Sequence, residues 1–134
     1  MSPSRLPFRL PPIVASVLMA LAALLLFAQG FAAWAAVLGF DGRGGLEVLP
    51  PGSRNLAVAL AIISPVAGIG AWFRAQWGPV LWGIAVVALI VPIALGVPHP
   101  ALRPLLVAHG SLMALWLLAV ALTERRAPAS VMDD

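Results

Sequence analysis

The chain has 134 residues, 62% hydrophobic and 10% charged, with a formal net charge of +3 and a mean hydropathy of +1.03. A soluble domain of this length carries about a quarter charged residues, so this chain has too little polar surface to cover itself in water, and lipid is the expected solvent. Its basic residues are all arginines, set singly or in pairs beside apolar runs rather than as a stripe, which argues against a nucleic-acid surface despite a pI near 11.5.

The charges divide the chain. Arginines at 5, 9, 43, 54, 74, 103, 125 and 126 and acids at 41, 47, 124, 133 and 134 leave four uncharged runs, 10–40, 55–73, 75–102 and 104–123. A spanning helix needs about 20 apolar residues to cross about 30 Å of hydrocarbon. The runs lack the alternation of barrel strands, and lipid requires backbone groups to be satisfied within a segment. The expected fold is all-α, a single domain of four transmembrane helices, with short connections making consecutive helices antiparallel neighbours.

Residues 1–12 form a basic, proline-spaced lead-in, and Pro11-Pro12 suits a helix opening because the first turn has no use for the missing N–H. Helix one is expected over about 13–37, with Trp34 in the far interfacial belt. Arg5, Arg9 and the "AWA" at Ala33–Ala35 imitate a signal peptide, but the apolar stretch from Ile13 outruns the 7–15 residues of an h-region, so retention is expected.

The connection 41–54 carries glycines and a Pro-Pro-Gly that mark turns, with "GLEVL" as a candidate interfacial segment. Ser53 or Asn55 is the expected cap of helix two, over about 55–73. Ser64-Pro65 falls near its middle; the proline removes a backbone bond, and Ser64 is placed to satisfy the freed carbonyl. Trp72, Arg74 and Trp77 mark a membrane–water interface, where indoles and a snorkelling guanidinium settle. They make the segment a tight hairpin turn, with Trp82 one turn inside the next helix.

Helix three is expected over about 79–95, Pro92 bending or thinning its end, and helix four over about 104–122 after the stiff "GVPHPALRP" loop. Residues 123–134 read as a polar, disordered tail. An even number of spans puts both termini on one side, with Arg5, Arg9, Arg74, Arg125 and Arg126 against Arg43, Arg54 and Arg103. The positive-inside rule then makes both termini cytoplasmic. The expected home is a bacterial inner membrane, and a basic set made only of arginine fits GC-rich coding.

Costly polar groups usually announce function inside a bilayer. No Asp, Glu, Lys or Arg falls within a predicted span, which disfavours carboxylate-driven transport of protons or cations. The absence of cysteine removes thiolate chemistry and disulfides. The candidates are Gln29, His109 and Ser111, with Ser64. Antiparallel placement of helices one and four puts Gln29 and His109 at one depth, in hydrogen-bonding reach, with Ser111 nearby. They form either a site for a quinone head group or small polar ligand, or interhelical glue, the favoured reading, worth about 0.5–2 kcal/mol per bond. His99 lies between two prolines, a poor platform for a haem ligand, and two histidines without carboxylate or thiol fall short of a metal set.

Helix two also carries Ala57, Ala61, Ser64, Gly68 and Ala71 at spacings of four and three. Such a narrow face lets another backbone approach closely. It packs either against a neighbouring helix of the chain, the favoured reading, or against a partner subunit; Gly30 and Gly110 are candidates for similar close approach.

Pro65, Gly70, Trp72, Trp77 and Gly78 form a proline-interrupted second helix ending Gly-x-Trp, a short turn, and Trp-Gly opening the third. This resembles small bacterial four-helix membrane proteins of the DoxX-like kind. The likeness covers the central hairpin, about a third of the chain, and implies the fold; some such proteins have quinone-linked redox or accessory roles. No charged or cysteine site accompanies it here. The leading expectation is a non-enzymatic membrane protein that assembles with itself or a larger complex. A quinone- or lipid-binding redox accessory comes second, and a small transporter or channel third. The cofactor is left unassigned.

Overall fold

The structure, a computed structural model, describes residues 12–124; the lead-in and most of the tail lie outside the described residues. Within them the chain forms α1 (Pro12–Leu38), α2 (Pro51–Trp72), α3 (Gly78–Ala94) and α4 (Leu102–Glu124). Three segments, Ile13–Leu38, Pro51–Trp72 and Leu102–Thr123, are long and apolar enough to cross a membrane. The α3 helix is as apolar but has 17 residues, a length of about 25 Å.

Two boundaries depart from the sequence reading. Helix α2 begins at Pro51 rather than near Asn55, because Pro51 occupies the first turn, and neither Ser53 nor Asn55 caps it. Ser53 lies inside the helix, buried. Helix α4 begins at Leu102, two residues before Pro104, which falls in the first turn where a proline costs nothing. The "GLEVL" segment is a run of turns, crossed by a hydrogen bond from the Arg54 guanidinium to the Glu47 carbonyl at 3.2 Å.

The helices stand in a square. Their main contacts are α1 with α2, α2 with α3, α3 with α4, and α4 back to α1. One apolar layer contains Met19, Ala23 and Leu26 of α1, Ala67 and Ala71 of α2, and Trp82 and Ala85 of α3, with Met113 and Trp116 of α4 against it. A second contains Ala33, Leu56, Leu60, Ala61, Leu89 and Leu102. Along α1, α2 and α4, a polar residue falls between the two layers: Gln29, Ser64 and His109.

The small residues of α2 explain its close seating. Ala57, Ala61, Ser64, Gly68 and Ala71 are all buried, and a Cβ on Gly68 would meet the Phe27 ring of α1 at 3.1 Å. Opposite Pro65 lies Gly30, where a Cβ would come within 2.7 Å of the proline Cγ. The stripe is thus buried within the bundle. A Cβ on Gly110 would meet nothing within 4 Å, so that glycine makes no such approach.

The α2–α3 turn is closed by the Ala75 N–H donating to the Gly70 carbonyl at 2.9 Å and the Arg74 N–H donating to the Ala71 carbonyl at 3.2 Å. This is the Schellman pattern, and its left-handed residue is usually glycine. Gly39 and Gly96 hold that position after α1 and α3, whereas here it is Arg74, at φ 54°. A Cβ on Gly78 would lie 2.6 Å from the Gly70 carbonyl, so the two helices meet backbone to backbone. Trp72, Trp77 and Arg74 are exposed around the turn, as is Trp34 at the far end of α1.

Candidate functional site

Four polar side chains, one from each helix, meet in the interior. The Trp82 indole N–H (α3) donates to His109 Nδ1 (α4) at 3.1 Å. His109 Nε2 lies 2.7 Å from Gln29 Oε1 (α1). The Gln29 amide N–H donates to Ser64 Oγ (α2) at 3.0 Å. His109 and Ser64 are fully buried and Gln29 is 5% exposed.

The donor–acceptor inventory fixes the roles. An indole nitrogen can only donate, so His109 Nδ1 is an acceptor without a proton. The imidazole therefore carries its proton on Nε2 and donates it to the Gln29 carbonyl. That turns the Gln29 amide nitrogen towards Ser64, and the direction of every link follows from the first. Among the described residues no buried side-chain polar atom lacks a partner.

The helices supply these groups by register. On α1, Gln29 follows Leu26 by one turn and shares its buried face. On α4, Trp116 lies two turns beyond His109, and its ring meets Trp82 edge to face at 6.3 Å and 60°. The Trp82 ring thus rests on one α4 residue and bonds to another.

The sequence candidates divide accordingly. Gln29 and His109 come together. Ser111 does not join them; two residues along a helix turn the side chain by about 200°, and it is exposed. Ser64 belongs to the cluster through a different bond from the one expected, as acceptor for Gln29 rather than as partner of the carbonyl that Pro65 frees. Trp82, which the sequence groups with the aromatic turn, is fully buried. A signal for it exists in the sequence: a buried indole needs an acceptor for its N–H.

His99 stands apart in the α3–α4 loop, where Nδ1 accepts from the Ala101 N–H at 3.3 Å. Among the described residues no group of three or more potential metal ligands occurs. The cluster can order four helices by directional bonds in an apolar interior. Each member is hydrogen-bonded to another.

Residues 13–127 match the family described as "Family of unknown function (DUF6163)". No curated protein and no solved structure matches the chain.

Proposed function

The chain belongs to the DUF6163 family, and we propose that it is a multi-pass integral membrane protein acting as a non-enzymatic accessory or assembly subunit. In this reading it crosses a bacterial inner membrane four times, with α3 as the shortest crossing. Both termini and the Arg74 turn face the cytoplasm. It packs laterally with copies of itself or with a larger membrane complex.

One observation carries the reading: the interior polar groups are spent on each other, and the exterior is apolar. A ligand at His109 would have to displace Gln29 or Trp82, whereas lateral packing disturbs no bond. The outer surface offers Val80, Ile84, Val87, Ile90 and Val91 on α3 and Val107, Leu115, Leu117 and Leu118 on α4. Within the apolar segment of α4, 11% is buried, against 50% for α2. The exposed face of α4 is thus available to lipid or to a neighbouring helix.

The test is cross-linking in native membranes followed by purification in mild detergent. A species larger than one chain, with cross-links from positions on α4, is the expected result. A monomer that captures no membrane partner would overturn the assembly role.

A further inference from the structure

At the end of the bundle that carries the α2–α3 turn, an open groove of about 210 Å³ runs between the start of α1 and the later part of α4. Ala15 and Met19 of α1, Pro79 of α3 and Trp116 of α4 give it apolar walls, and Arg74 and Gln76 form its rim. It is smaller than the roughly 300–1,000 Å³ of sites that enclose a drug-sized molecule. Its lining suits part of a chain-like ligand, with apolar side chains for an oily stretch beside Arg74 and Gln76 for a polar head.

The rim is charged in one sense. Arg43 sits 3.8 Å from the Asp41 carboxylate and the Arg54 guanidinium donates to a carbonyl, but Arg74 has no ion-pair partner among the described residues. Among the described residues no carboxylate lines the groove. Helix α3 opens beside it with no acidic residue in its first turn and no side-chain cap, so its dipole adds positive potential at Pro79. Arg74 also holds the left-handed position that glycine fills at the other two helix ends. A residue kept where glycine is cheaper invites a role for its side chain.

We propose that this groove binds one anionic phospholipid, with the headgroup phosphate on the Arg74 guanidinium and the upper part of an acyl chain along Met19 and Trp116. Guanidinium and phosphate match in geometry and charge. The groove mouth lies at the Trp72–Trp77 turn, where interfacial residues meet lipid headgroups. The proposal rests on the membrane reading, which fails separately if the chain stays in the aqueous fraction without detergent.

The experiment is native mass spectrometry of the detergent-solubilised protein with phosphatidylglycerol and phosphatidylcholine added at matched concentrations. Arg74→Gly relaxes the turn, so its melting temperature should not fall below the parent's, and lost binding cannot be ascribed to unfolding. It should lower retention of phosphatidylglycerol about fivefold, and that of phosphatidylcholine, whose choline offsets the phosphate charge, by less. Ala15→Phe, which fills the groove, should lower both lipids. Arg54→Gln, on the opposite face, serves as the control. Parent-like phosphatidylglycerol binding by Arg74→Gly, or an equal loss with Arg54→Gln, would overturn the proposal.

Discussion

His109 shows how a side chain acquires a fixed role from its neighbours. Its Nδ1 accepts from Trp82 and its Nε2 donates to Gln29, so both ring nitrogens are used and one tautomer is selected. Replacing Trp82 with Phe keeps the ring against Trp116 but removes the N–H. The His109 acceptor is then left buried and unpaired, at a cost of about 1–3 kcal/mol. Chemical or thermal unfolding in detergent measures it, with Ser111→Ala, which leaves an exposed position, expected to stay near the parent. Sequence alone singles out Gln29 and His109 because polar side chains in apolar runs are rare and must find partners. It misplaces Ser111 because nearness in sequence is not nearness on a helix face. Trp82 escapes because an indole near a turn has two explanations, interface and interior, and only packing decides between them.

The helices are held by different means on different sides of the square. Bonds through Gln29 join α1 to α2 and to α4, and the Trp82–His109 bond joins α3 to α4. Between α2 and α3 the link is steric, made by Gly70 and Gly78 at the turn. The α1–α2 seam combines both, since Gly30 admits Pro65 as Gln29 reaches Ser64. Gly30→Ala should therefore force the helices apart at the polar level, a strain of about 1–3 kcal/mol, while Gly110→Ala, facing open space, should be neutral or slightly stabilising. Comparing the two unfolding midpoints checks this. The stripe on α2 is readable from its spacing, but the occupant of that stripe is not. At Gly68 it is the Phe27 ring of α1, and the small residues alone could equally have received another chain.

Seen as one body, the molecule is a polar layer between two apolar ones, with an apolar exterior. That arrangement suits lipid, in which burial of oil no longer drives helices together and directional bonds and close packing must do so. The four apolar runs are legible from charge spacing, and α1, α2 and α4 have spanning length; α3 stops at 17 residues because Gly96 ends it in a left-handed turn. If the chain crosses four times, single cysteines at positions 2, 74 and 130 should label from the same face, and one at position 43 from the other. The parent has no cysteine to confuse the assay. Labelling of position 74 from the opposite face to both ends would rule out the four-span reading.

The Gln29–His109 bond should hold α4, the least buried of the spanning-length helices, to the rest of the bundle. A double-mutant cycle tests it most directly: unfolding free energies of the parent, Gln29→Leu, His109→Leu and the double variant, in one bicelle composition. Each single change should destabilise, and the double should fall short of their sum by about 0.6–2 kcal/mol. Additivity within about 0.3–0.5 kcal/mol would mean that the two residues act independently, and the polar link would not be what binds α4.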